Sequence, residues 1–453
     1  MRSRLLLFPA FLIMASCGGQ ETTTSSAQPA AAAETAPAVA PASAGAPGEI
    51  QTAAVGTVDG AHWPNWRGPE GNGSNPAASP PTTWSETENI KWKVPLPGTG
   101  QSTPIIWGDK IFLLTASDVG GGAWAFEVVC LNRADGSIAW RQEAAREVPQ
   151  EGHHPTGSFA PYSAVTDGQF VWASFGSRGL HCYGVNGNHQ WSVPLEKMRM
   201  KRSFGEGSSP LLVNDSIIIL QDHEGDSRIA AYDKSTGEMR WETRRDEQTT
   251  WTSPAAIEVN GAIQIVVNGT NRIRSYDLAG GALIWECGGM TQNVIPTPVF
   301  ANGMAYCASG FRGHALAAIK LGHTGDLTGT DAVAWTIGQG TPYVASPLLY
   351  DNRLYFVDTL KPVLSCADAV TGNVLFDRET LEGLANVYAS PVGAGGHIYI
   401  ADREGKTAVL KNTGEFNVVA VNTLNDGFDA TPVAIANELY LRGQQFLYCI
   451  AAS

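Results

Sequence analysis

The sequence predicts an all-β fold, an eight-bladed β-propeller of four-stranded antiparallel blades closed by the N-terminal strand joining the C-terminal blade. Three observations carry this. A Ser/Thr-Pro pair recurs at intervals of 41 to 60 residues, at Thr103, Ser209, Ser253, Thr297, Ser346, Ser390 and Thr431, with Ser163-Ala164 as a degenerate eighth. A glycine stands four residues ahead of a large aromatic in several units, as in "YDKSTGEMRW" and "AVTGNVLF". Fifty Gly and 26 Pro punctuate 453 residues, and the stretches between them are rich in Val, Ile, Tyr, Trp and Ala, which leaves little room for long helices.

In chain order, residues 1–16 read as an export signal: Arg2 and Arg4 precede an apolar run from Leu5 to Ile13, too short to span a bilayer. The ending "MASCGG" resembles a bacterial lipobox, which makes Cys17 the lipidation site; Gly18, a residue other than Asp, implies sorting to the periplasmic side of the outer membrane. Residues 17–60, built largely from Ala, Pro, Ser and Thr, read as a disordered tether, because so few large apolar side chains cannot offset the entropy of ordering. Residues 61–453 form the periodic body.

Within each unit the Ser/Thr-Pro pair starts the first strand, since proline forces its predecessor into extended geometry and is tolerated at a strand start. A tight turn such as "VNGA" or "TDGQ" follows, where Asn-Gly or Asp-Gly supplies the positive φ of a hairpin. The third strand leads through a second turn, "DKSTG" in one unit, to the aromatic on the fourth. Trp140, Trp191, Trp241, Trp285, Trp335 and Phe376 are the expected blade-docking aromatics, with Val418 at the equivalent place in the seventh unit. The eighth unit ends at Ser453 after three strands. Its missing strand is expected from "NIKWKVPL", where Trp92 lies twelve residues before Pro104.

Composition excludes some functions. A formal charge of −13, with no Lys/Arg run read as offsetting it, repels a phosphate backbone, so nucleic acid is not an expected partner. No G-x-S-x-G, H-E-x-x-H or P-loop sequence occurs. Cys130, Cys182, Cys366 and Cys449 fall at equivalent third-strand positions of different blades, too far apart for disulfides. Together with Cys287 and Cys307 they are expected to be reduced and buried.

The units "AYDKSTGEMRW" and "SCADAVTGNVLF", with "SSPLL" and "ASPLLYDNRLYF" ahead of them, resemble the tryptophan-docking repeats of the PQQ-like (quinoprotein-like) β-propeller superfamily. That superfamily holds quinoprotein dehydrogenases and the non-enzymatic lipoprotein BamB. The resemblance therefore implies either a membrane-tethered, non-catalytic scaffold serving other envelope proteins or a small ligand, or a periplasmic PQQ-dependent oxidoreductase with PQQ and calcium. The scaffold is the reading adopted here, with no cofactor and a monomeric body, because no two cysteines are adjacent and the inserts that typically build the cofactor pocket are missing.

The face that joins blade to blade and strand two to strand three is the candidate binding face. There the segment Gln142 to Pro161 reads as a long inter-blade loop. Arg178, Asp222, His223, Arg312, Asp402, Arg403 and Arg442 are expected to converge on this funnel, with Arg178, Arg312 and Arg403 as anchors. The opposite, tight-hairpin face reads as structural.

Overall fold

The computed structural model describes residues 50–54, 58–358 and 361–452. Cys17, the export signal and most of the expected tether lie outside them. The described strands form eight sheets, each with four consecutive blade strands arranged in order from the axis to the rim, and two sheets carry extra strands. Blade 1 starts at Ile105–Trp107 and blade 8 at Val433–Ile435. Blade 8 takes its outermost strand, Ile90–Pro95, from the N-terminal side of the body, antiparallel to Phe446–Ala451 with Trp92 opposite Cys449. The ring is closed as the sequence predicts.

The recurrent Ser/Thr has a physical reason beyond starting a strand. Its backbone N–H is buried beside the axis, and a buried donor must find an acceptor. In seven successive links it donates to the hydroxyl of the Ser/Thr in the next blade: Thr103 to Ser163 at 2.9 Å, then on through Ser209, Ser253, Thr297, Ser346 and Ser390 to Thr431 at 3.3 Å. Ser163 keeps the hydroxyl although its proline is lost, so the degenerate unit does not break the girdle.

The glycine-aromatic spacing is likewise resolved by neighbours. The turn glycine of one blade lies against the aromatic of the preceding blade: a Cβ on Gly136, Gly187, Gly237, Gly281 or Gly372 would fall under 3.0 Å from the ring of Trp92, Trp140, Trp191, Trp241 or Trp335 respectively. Several of these indoles also donate to the turn they cover, Trp92 to Arg133 O at 3.0 Å, Trp140 to Val185 O at 3.0 Å and Trp241 to Leu278 O at 2.7 Å. Trp285 departs from the pattern. Blade 5 has a longer third turn, whose Gly325–Asp326 pairs alongside blade 4, and the Trp285 indole donates to Gln264 instead.

Blade 7 corrects one assignment. Trp191, Trp241 and Trp285 lie opposite Cys182, Ala231 and Ser275; the matching residue opposite Val409 is Ala420, not Val418. The same bulge recurs in the other blades, but here the matching residue lies six positions after the turn glycine Gly414 instead of four, so counting from the glycine misplaces the register. Trp84, from the segment before the closing strand, supplies the missing ring. It is buried, lies 6.4 Å from Tyr399, and is fixed by Asn422, which accepts from Trp84 N at 2.9 Å and donates to Thr82 O at 3.0 Å. Tyr306, Tyr355 and Tyr440 make the corresponding contacts with Trp335, Phe376 and Trp92 at 5.7, 6.3 and 5.9 Å.

The folded body also begins earlier than composition suggests. Thr52–Ala54 pairs with the innermost strand of blade 4. Residues 63–79 then line the axis: Trp63 exchanges two backbone hydrogen bonds with Ile106 of blade 1, the Trp66 indole donates to Thr431 Oγ1 of the girdle, and Ser74–Asn75 pairs with the innermost strand of blade 7. This insert meets the first-to-second strand turns at Gly108 and Ala436, so the face read as purely structural receives the N-terminal segment. The segment Gln142 to Pro161 is in part strand as well, because the fourth strand of blade 1 runs from Ile138 to Glu147.

All six cysteines of the body are free and buried, as expected. Burial pushes the thiols of Cys130, Cys182, Cys366 and Cys449 up to about 12, which removes the reactive thiolate at neutral pH.

Two tests follow from these contacts. Trp84→Ala leaves Tyr399 and Ala420 facing a void and is expected to lower stability by about 3 kcal/mol in urea denaturation; an unchanged midpoint would remove Trp84 from the blade contact. The turn aspartates give a pH dependence. Hydrogen bonds from the Ser137 hydroxyl to Asp135, from Arg240 to Asp233 and from Thr371 N to Asp368 hold these carboxyls below the usual range, Asp233 at about 2. Their folded values are depressed, so their stabilisation is present above an unfolded value of about 3.9 and fades as pH falls through the folded values. The deficit of an Asp135→Ala/Asp233→Ala/Asp368→Ala variant should therefore shrink between about pH 6 and about pH 2; a constant deficit would contradict the assignment.

Candidate functional site

The funnel face of blades 2–4 is built from carboxylates and cations held by one another. Arg178 closes a short 3-10 turn, Gly176–Arg178, and its side chain is only 4% exposed. It lies 3.2 Å from both Glu147 and Glu206, with its guanidinium 5.1 Å from the Phe126 ring. Glu206 also accepts from the Tyr162 hydroxyl at 2.8 Å, the Ser177 N–H at 2.8 Å and the Ser177 hydroxyl at 2.6 Å. Burial, then the Glu206 charge, pushes the Tyr162 hydroxyl well above its ordinary value.

In blade 3, Asp222 accepts a two-pronged hydrogen bond from Arg245, 2.7 and 3.0 Å, and a third from the Thr250 hydroxyl at 2.8 Å. Both charged side chains are essentially inaccessible. The Arg245 guanidinium donates onward to the Tyr276 hydroxyl at 2.6 Å. His223 is buried and its Nδ1 accepts from Arg199 N at 3.2 Å.

Blades 7 and 8 continue this economy of partners. Asp402 is fully buried and accepts from the N–H groups of Ala385, Glu404 and Lys406 at 2.7 to 2.9 Å, shaping its own loop. Arg403 donates to Asp429 at 2.5 Å and lies 4.5 Å from the Tyr388 ring. Burial raises the Asp429 carboxyl despite Arg403. Arg442 is buried between blades 8 and 1, donating to Ser102 O at 3.1 Å and Leu114 O at 2.9 Å, and desolvation pushes it down to about 9. Arg67 on the axial insert is similarly buried and lowered to about 9, with its Nη2 donating to Pro347 O at 2.7 Å.

The candidates thus lie on several blades but differ in availability. Arg312 is exposed on the second-to-third strand loop of blade 5, with its guanidinium 5.4 Å from the Phe311 ring and no ion pair among the described residues. Arg403 is part-buried, and Arg178, Asp222, His223, Asp402 and Arg442 are interior. Sequence reasoning passed over the loop between blades 2 and 3, where "KMRMKR" puts Lys197, Arg199, Lys201 and Arg202 within six residues. This is the basic run that a chain-wide charge of −13 conceals; its alternation with methionine was the available signal.

A calcium ion beside PQQ needs six to eight converging oxygens. The funnel carboxylates Asp222, Asp402 and Glu206 are already committed as described, and Trp66 and Arg67 occupy the axis between inner strands of different blades. Among the described residues no group of three or more His, Cys, Asp or Glu side chains forms a metal cluster.

Residues 125–330 match the family model described as outer membrane protein assembly factor BamB. The chain resembles the PQQ-like propellers. BamB from Moraxella catarrhalis matches over 79% of this chain and 98% of its own, at 16% identity and a TM-score of 0.52. Quinohemoprotein alcohol dehydrogenase from Comamonas testosteroni matches over 88% and 83%, at 11% identity and a TM-score of 0.60. At such identities these PQQ-like relatives establish the fold alone. None of the curated proteins matches in sequence. Among the described residues no helix is long and apolar enough to cross a membrane.

The Asp222–Arg245 pair separates scaffold from surface. Asp222→Ala leaves an uncompensated buried guanidinium and is expected to cost about 3–5 kcal/mol in equilibrium denaturation, whereas Arg312→Ala should stay within about 0.5 kcal/mol. Equal effects would show that the two residues share one environment.

Proposed function

We propose that this chain is a membrane-tethered, non-catalytic propeller that presents its funnel face to another envelope protein or a small ligand. The observation that carries the reading is the commitment of the funnel carboxylates to internal partners while cations such as Arg312 remain exposed: chemistry needs groups free to bind a metal or move a proton, and docking needs a rigid face. The likeness to BamB supports an envelope location. Lipidation of Cys17 would complete the tether. Arg312, together with the part-buried Arg403, is the anchor we assign on the funnel face, while Arg178, paired with Glu147 and Glu206, holds the blade 1 and blade 2 loops.

The same experiment addresses the oxidoreductase alternative. A photo-crosslinking residue at Arg312 should capture a partner in the native envelope, while one at Asp215 on the hairpin face should not; equal capture would sink the funnel assignment. Adding PQQ and calcium to the purified body should give no dye reduction across alcohols and sugars. Saturable, PQQ-dependent reduction would replace the scaffold by an oxidoreductase.

A further inference from the structure

Most cations of this acidic chain that stand near the loop between blades 2 and 3 are neutralised. Arg228 pairs with Glu196 and Glu242, and Arg274 with Asp246, Glu247 and Glu286. The loop itself is different. Arg199 reaches the backbone oxygen of Glu224 and Lys201 the side-chain oxygen of Asn293, and none of Lys197, Arg199, Lys201 and Arg202 has a carboxylate partner among the described residues. Four unneutralised cations in six residues stand out in a chain of net charge −13.

Their presentation is also fixed. Leu195, Met198 and Met200 are buried, while Lys197 and Arg199 alternate with them outward and Arg202 is exposed on the short 3-10 turn Lys201–Ser203. Met198 N donates to Ser177 Oγ at 2.8 Å, Met200 N to Glu151 Oε2 at 2.8 Å and Lys201 N to Thr249 Oγ1 at 3.0 Å, tying the loop to its surroundings on both sides. Arg202 and Ser203 both hold φ of 53°, a left-handed conformation that non-glycine residues adopt at a cost and that surrounding contacts must enforce. A cation held this way loses little freedom on binding.

We propose that residues 197–202 receive an extended acidic segment of a partner protein. This deepens the funnel-docking reading and rests on it. Alternate residues of an extended chain lie roughly 6.8 Å apart, so carboxylates at every second residue of such a segment match the alternating, exposed Lys197 and Arg199, with Arg202 beyond them. A bilayer is a poorer fit. A broad anionic surface would also meet the exposed carboxylates Glu196, Glu224, Asp226 and Asp246 around the strip, whereas a narrow segment follows the strip alone.

The test uses fluorescence anisotropy on the purified full chain with labelled peptides of alternating Glu-Ser and of alternating Lys-Ser, at low and high salt, beside co-sedimentation with phosphatidylglycerol vesicles. The Glu peptide should bind and the Lys peptide should not, binding should weaken with salt, and Lys197→Glu/Arg199→Glu/Arg202→Glu should weaken it by about tenfold or more. Should that reversal unfold the chain, Lys197→Gln/Arg199→Gln/Arg202→Gln reads the same effect. Undiminished binding by a folded variant, failure of the Glu peptide to bind, or vesicle binding without peptide binding would each overturn the proposal. If the peptide fails while cross-links at Arg312 persist, the acidic segment falls and funnel docking stands.

Discussion

A backbone N–H placed next to the axis of a ring of sheets has no partner within its own blade, and the whole architecture depends on satisfying it. From blade 2 to blade 8 the Ser/Thr does so for the preceding blade, so seven hydroxyls link the eight sheets along the inner girdle. This explains why a hydroxyl residue, and not merely a proline, recurs at the strand start. Ser163 shows which half of the pair is indispensable: the hydroxyl stays where the proline is absent. Farther out, the turn glycines of blades 1, 2, 3, 4 and 6 admit the preceding blade's aromatic, so there inner polar links and outer apolar wedges fix the same blade-to-blade step.

The N-terminal segment works at three radii. It lines the axis through Trp63, Trp66 and Arg67, fills the aromatic vacancy of blade 7 with Trp84, and closes blade 8 with the strand containing Trp92. The contacts of Trp84 with Asn422 and Trp92 with Cys449 join residues more than three hundred positions apart. Closing such a loop costs entropy before it returns contact energy.

Charge is divided between interior and surface. The buried pairs Asp222–Arg245 and Arg178–Glu206 are costly to break singly, since either partner alone is an unsolvated charge. They hold loops in place, while Arg312 stands exposed outside this network. Among the described residues the funnel face is thus a floor of mutually held charges carrying a few exposed positive groups.

The sequence alone determined the eight-blade period, the closing strand and the reduced cysteines, because those follow from local rules: proline geometry, hairpin turns, and equivalent positions repeated at one spacing. It could not decide which residues fill a vacancy made by another part of the chain. Ala420 leaves room that Trp84 occupies from far away, and two extra residues after Gly414 shift the register that residue counting assigns to Val418. Nor could it tell a buried partner from an available one. Arg178 and Arg312 look alike as loop arginines, yet Glu147 and Glu206 surround the first while the second stands exposed. Neutralisation is a property of neighbours brought together from different blades, and only the tertiary structure supplies them.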